Sequence, residues 1–356
     1  MKKLIAAALA AAALLPLCAC AHAEVELRPD DPDDPDDPQT EAVLEYALND
    51  EGDAYIVTSA IGGDIARVPS SYNGLPVESI DSFAFSNGTV RSIEIAEGVK
   101  YIGQYAFNNC YELTKAVLPE SLTSIGSYAF CQCSALQEIN LPDGLTEIPT
   151  RCFFGTSLGS VVLPSSVKHV CDYAFSSCRM ESLELNEGLV SIGEDAFSAN
   201  DMTRLRIPST VTELGESAFE DCRMLRSVNL PGSIDTIPAY AFAGCQSLVD
   251  IDMGDGTEII DSRAFYGCNT LVEITIPATV GYLGRYAFKE CSNLNEVVFE
   301  EPTGWFYGGL HIIAVDVDMS DSELMAEILS GREQEYGVPH LSEEDMYRDG
   351  YGPYDN

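Results

Sequence analysis

One recurring dipeptide constrains this chain more than anything else in it. Phenylalanine returns at Phe85, Phe107, Phe130, Phe153, Phe175, Phe197, Phe219, Phe242, Phe265 and Phe288, in steps of 22 or 23 residues. Alanine precedes it each time except at Cys152-Phe153. So narrow a period marks a tandem array, and a unit of this length cannot enclose an apolar face on its own. Each unit must bury its hydrophobic side against its neighbours. The chain therefore reads as a stack of ten coils.

The other apolar residues keep register with the ring. In the 23-residue units they fall six, nine and eleven places later, as Leu136, Ile139 and Leu141 do after Phe130. Proline usually follows, as at Pro119, Pro142, Pro231 and Pro277. Ile139 and Leu141 flank one outward residue, which is the period of a strand, and proline ends a strand because it has no N–H to donate. The 22-residue units lose one residue before the strand, so Leu205, Ile207 and Pro208 sit one place earlier. A later apolar pair and glycine (Val211, Leu214, Gly215) lead into the next unit. The expectation is an α/β repeat with one short strand per coil in a parallel sheet on one face. A short helical or turn stretch would carry Ala-Phe, its ring packed between coils.

The run Ser-Tyr-Ala-Phe-Cys-Gln-Cys-Ser-Ala-Leu-Gln-Glu-Ile-Asn-Leu-Pro, from Ser127 to Pro142, resembles the BspA-like, Treponema-type leucine-rich repeat. The resemblance covers about residues 42–307. Leu44 to Tyr46, the Gly52 turn and Tyr55 to Val57 read as an opening hairpin; Val68 to Val77 is similar to the family's lead-in, and Phe299 to Tyr307 to its exit. The pattern is departed from at Ala96, Asn186 and Gly254, which lack the proline. The resemblance implies a leucine-rich-repeat solenoid of ten 22–23-residue coils and a surface protein that adheres to host or partner-cell macromolecules. It brings no catalytic residues.

Around the array, residues 1–19 read as a signal peptide: Lys2-Lys3 is a charged start, and Leu4 to Leu17 is apolar but too short to span a membrane. Leu17-Cys-Ala-Cys20 resembles a lipobox that would lipidate Cys20, while Ala21-His-Ala23 resembles a type I peptidase site before Glu24. The lipobox is the preferred reading, and either cut leaves an extracytoplasmic protein. Residues 20–40 hold the run Pro-Asp-Asp-Pro-Asp-Asp-Pro-Asp-Asp-Pro, a self-repelling, extended tether. The expected organisation continues with a hairpin cap and lead-in over 41–79 and the solenoid over 80–301. A cap strand (Leu310 to Val317) and a helix to Leu329 fall within 302–332, and a disordered acidic tail occupies 333–356.

The formal net charge is −38, and −40 once Lys2 and Lys3 are removed, so nucleic acid is a poor partner and the membrane is reached only through an N-terminal lipid. Seven cysteines stand three places after the phenylalanine: Cys110, Cys133, Cys178, Cys222, Cys245, Cys268 and Cys291. One equivalent site per coil predicts an inward ladder of buried thiols rather than disulfides. Cys131, Cys152 and Cys171 lie off that ladder. No metal or cofactor is expected, because histidines are isolated and Cys131-x-Cys133 lacks a matching pair. The acidic runs after Asp250 and Asp316 miss key positions of a calcium loop. No catalytic motif is present, and the expectation is a non-enzymatic protein.

Residues between the inward strand positions should form an outward row, and repeat proteins bind through such faces. Of 17 basic residues after the leader, five lie between 179 and 226: Arg179, Arg204, Arg206, Arg223 and Arg226. By register Arg204 and Arg206 face outward, and Asp250 and Asp252 reverse the sign two coils later. The candidate partner-binding residues are therefore Arg204, Arg206, Arg226, Asp250 and Asp252. They would meet an extracellular protein or glycan, unless the arginines are consumed in internal ion pairs. The whole is expected to be monomeric, a self-associating envelope spacer being the alternative.

Overall fold

The structure, a computed structural model, describes residues 40–303, 305–307, 315–317, 320–330 and 346–348. The signal peptide, Cys20 and the tether up to residue 39 lie outside these residues. The rest is a solenoid whose coils repeat three backbone ladders. The longest strands stack as Ile65–Val68, Ser92–Ile95, Lys115–Val117, Glu138–Ile139 and onward to Glu296–Phe299, eleven in all among the described residues. Ten belong to the phenylalanine coils, and the lead-in contributes the first. Pairing along this column is parallel.

A second column of strands, mostly two residues long, is an addition to the sheet expected from the sequence. It runs through Tyr101–Ile102, Ser124–Ile125 and equivalents to Tyr282–Leu283, also in parallel. Its strands end on the second member of each unit's later apolar pair, as Glu213–Leu214 does on Leu214. Glycine follows where coil backbones approach closely: a Cβ on Gly215 would collide with the backbone of Gly193.

The third ladder is the Ala-Phe segment, which takes the turn of the two alternatives, not the helix. In every coil the residues two before and two after the phenylalanine are left-handed. The first set spans φ 52–62°, from Asp195 to Phe83, and the second 54–73°, from Ala199 to Gly244. A right-handed helix cannot pass through such residues. The turn instead hydrogen-bonds to the next coil, as when Phe107 N–H donates to Ala129 O at 2.7 Å and Phe242 N–H to Ala264 O at 2.8 Å.

This geometry drives every ring inward. Phe107 to Phe288 are fully buried, and neighbouring rings lie 4.7–5.6 Å apart, 4–21° from parallel. Burying one such side chain contributes about 1.5–3 kcal/mol, with roughly 0.5–1.5 kcal/mol more from ring contact. The preceding alanine is buried too, where a larger side chain would part the coils.

The ladder cysteines are not merely small. Each of the seven donates its S–H to the carbonyl of the phenylalanine one coil back, at 3.0–3.3 Å, from Cys110 to Phe85 O through Cys291 to Phe265 O. All ten described cysteines are free, including Cys131, Cys152 and Cys171. Burial pushes the thiols of Cys178 and Cys222 up to about 12. Asn200 replaces cysteine in one coil and does more: its amide donates to Phe175 O and Phe197 O at 2.9 Å and accepts Cys178 and Met180 N–H at 3.2 and 2.9 Å.

Both ends are closed. The antiparallel hairpin Val43–Leu48/Tyr55–Ile61 starts the stack. At the far end the helix Ser322–Ser330 buries Met325, Ala326 and Leu329. Its last carbonyl accepts Glu290 N–H at 3.2 Å, taking the part that a further coil would play. Val315–Val317, within the expected cap strand, pairs with Trp305–Tyr307 rather than with a coil. Of the acidic tail expected to be disordered over 333–356, only Met346–Arg348 lie among the described residues. Met346–Arg348 forms a strand that joins Tyr282–Leu283 to Trp305–Tyr307, both antiparallel. An open strand edge at the last coil would otherwise leave backbone groups unpaired, and this strand covers it.

Candidate functional site

The outward row proposed from register lies where the sequence places it. Arg204–Arg206, Ser227–Asn229 and Asp250–Asp252 form one three-stranded parallel sheet. Arg204 is registered with Ser227 and Asp250, and Arg206 with Asn229 and Asp252. The alternate residues Leu205 and Val228 are buried, so the polar members are forced to the surface. A shallow depression of about 420 Å³ lies over this sheet, with Leu183 at its edge. It is cationic at one side and anionic at the other, two coils apart.

Only part of this charge is neutralised internally. Arg206 pairs with Glu187 at 2.7 Å, both well exposed. Such a pair contributes little, about 1 kcal/mol or less. Arg204 is exposed and makes no ion pair among the described residues. Asp252 is held by Asn229 Nδ2 at 2.6 Å and by Gly254 N–H at 3.2 Å, which fixes its carboxylate. Arg226 is exposed but precedes its strand and does not line the depression. Four of the five predicted residues are thus brought together. Elsewhere the row carries exposed Val117, Val162 and Val298 and the pair Lys115–Glu138 at 2.7 Å.

Sequence reasoning missed a second outward column. The left-handed residue two before the buried phenylalanine projects from the turn side, and it is aromatic or arginine in eight coils of ten. Phe83, Tyr105 and Tyr128 stack at 4.9 and 4.6 Å. Arg151 follows, its guanidinium 5.6 Å from the Tyr128 centroid and 4.5 Å from that of Tyr173. Asp195 and Ser217 interrupt the column before Tyr240, Arg263 and Tyr286 resume it. The Tyr173 hydroxyl donates to Glu194 at 2.8 Å, and that bond holds its pKa up at about 12. The signal was visible as Tyr-Ala-Phe, which occurs five times.

Among the described residues no three histidine, cysteine or acidic side chains converge as metal ligands, and no helix is long and apolar enough to cross a membrane.

The profile of the BspA-type leucine-rich repeat region matches residues 72–181 and 168–295, in six copies. No curated protein sequence matches the chain. Among solved structures, the pneumococcal vaccine antigen PcpA is 22% identical with a TM-score of 0.50, over 73% of this chain and 67% of that one. A leucine-rich repeat protein from Bacteroides ovatus is 24% identical with a TM-score of 0.46, over 71% and 86%. A leucine-rich cell surface protein from Faecalibacterium prausnitzii is 23% identical with a TM-score of 0.36, over 73% and 95%.

Proposed function

Because the chain belongs to the BspA-type leucine-rich-repeat family, we propose that it is an extracytoplasmic, non-enzymatic binding module. It takes a protein or glycan partner on its long-strand face, at Arg204, Arg206, Asp250 and Asp252. One observation carries this reading: Arg204 stays exposed and unpaired among the described residues of a strongly acidic protein, in register with Asp250. Complementary charge at such a place governs which partner docks and how it is oriented. The Lys2–Leu17 leader and the lipobox support export and a lipid anchor on Cys20. Labelled palmitate should enter the protein and fail to enter Cys20→Ala; equal labelling of the two contradicts the anchor.

The site is tested by capturing host and bacterial surface components with the full chain and with Arg204→Glu/Arg206→Glu. The substituted side chains are exposed, so the fold should be unaffected, as circular dichroism would verify. Partners retained by the wild type and lost by the variant support the site. Capture of the same partners by both overturns it.

A further inference from the structure

The turn side of the solenoid carries its own cavity, away from the long-strand face. A groove of about 680 Å³ crosses the coils of Phe219, Phe242, Phe265 and Phe288, whose rings step by 5.3–5.6 Å. We propose that this groove binds a linear, uncharged oligosaccharide.

Its side chains are not dictated by the backbone. Tyr240, Arg263 and Tyr286 stand at φ 58°, 57° and 61°, where the backbone favours glycine, asparagine or aspartate. Every coil holds this position left-handed and most fill it with a bulky residue, so the backbone sets the direction of these side chains and the sequence chooses which ones line the groove. The guanidinium of Arg263 lies between two rings, 5.4 Å from the Tyr240 centroid and 4.8 Å from that of Tyr286, and donates to Tyr240 Oη at 2.8 Å. This fixed set of rings and donors exists before any ligand arrives.

Two coils of the groove omit a side chain; the space this frees stays open at Gly267 and is taken by the Asp221 carboxylate at Gly244. Gly244 and Gly267 occupy the left-handed position that Asn87, Asn109, Gln132 and Glu290 fill elsewhere. A Cβ on Gly267 would meet nothing within 4 Å, so the space above it is open. Tyr266 stands beside that opening, with Gln246 and Asn269 at its rim.

The lining selects among ligands. Arg263 lies over both tyrosine rings and Lys289 Nζ lies 4.5 Å from the Tyr286 centroid, so the rings offer mainly their edges to the C–H groups of a sugar, while planar amides and a guanidinium can address neighbouring hydroxyls with two hydrogen bonds. Arg263 and Lys289 are offset by Glu220, Asp221 and Glu290, so the groove does not favour an anion. Main-chain recognition of a peptide needs free N–H and C=O groups along an edge. Here they are used by the coil ladder, as in Gly244 N–H to Tyr266 O at 2.7 Å and Gly267 N–H to Lys289 O at 2.9 Å. The coil step is close to the length of one pyranose in an extended β-1,4-linked chain. Adjacent sugars of such a chain are turned over relative to one another, so sugars two apart present the same face and would meet Tyr240 and Tyr286, two coils apart, with Arg263 between them.

The test is calorimetric titration of the full chain with chitotetraose and with cellotetraose, alongside a sulfated tetrasaccharide and an arginine-rich peptide. An uncharged tetrasaccharide should bind saturably. Affinity should weaken at least tenfold in Gln246→Ala/Asn269→Ala, whose substituted residues are exposed, and be lost in Tyr286→Ala. Arg204→Glu/Arg206→Glu should bind the sugar as the wild type does, which separates this site from the long-strand face. The proposal is overturned if neither uncharged tetrasaccharide binds, if only the sulfated sugar or the peptide binds, or if sugar binding survives both groove variants.

Discussion

Asn200 is the place where one substitution should reveal how the coils are joined. It is buried, and among the described residues its amide is the only acceptor for two N–H groups, those of Cys178 and Met180. It also donates to the Phe175 carbonyl. Two further carbonyls that it touches have other donors: Phe197 O takes the Cys222 thiol, and Ser198 O takes Ser177 N–H. Asn200→Ala therefore strands three buried backbone groups. At about 1–3 kcal/mol each, less some relaxation, the loss should be about 3–6 kcal/mol. That is a large share of a typical stability of about 5–15 kcal/mol. Urea unfolding followed by circular dichroism gives the total, and hydrogen exchange at the Cys178 and Met180 amides locates it. Asn200→Asp should keep the two acceptor bonds but set a carboxylate oxygen against Phe175 O, so this variant should be more stable in acid than at neutral pH. A loss below about 1 kcal/mol in Asn200→Ala, or unchanged exchange at both amides, would refute the reasoning.

Other outcomes follow from the same interior. Phe242→Ala opens a cavity between two stacked rings and should cost about 3–5 kcal/mol in the same unfolding assay. The fold should also weaken in alkali: burial raises the Cys178 and Cys222 thiols from 9.0 to about 12. Below pH 9 both states keep the proton and the contribution is complete; above it the unfolded chain ionises first, so stability falls as pH rises toward 12. The unfolding midpoint should decline through that window, and decline less in Cys178→Ala/Cys222→Ala; a flat wild-type profile would contradict it.

The interior was legible because every coil repeats it. The phenylalanine period and the spacing of Leu136, Ile139 and Leu141 identify inward positions, and the equivalent cysteines then fall into the same column. Strands such as Glu213–Leu214 were not, since two residues carry too little alternation to set a period. The tyrosines before Ala-Phe were visible as letters, but their outward direction depends on a left-handed φ that bulky residues rarely adopt. Met346–Arg348 has a tail-like acidic context, and only the unpaired edge beside Tyr282–Leu283 gives it a place. On the long-strand face, register puts Arg204, Arg206, Asp250 and Asp252 on one parallel sheet, which is where their strands lie. It could not tell which arginine Glu187 would neutralise, because that contact reaches across a turn between coils.

One ladder of rings and reduced thiols, in register through the stack, holds the fold. Differential alkylation read by mass spectrometry tests it most directly, on protein exported through an oxidising compartment and purified without reductant. All ten cysteines from Cys110 to Cys291 should be alkylated after unfolding. Before unfolding, half-buried Cys171 should react ahead of the seven ladder thiols. A disulfide joining any two ladder cysteines would contradict it, because each of those thiols is committed to a phenylalanine carbonyl one coil away.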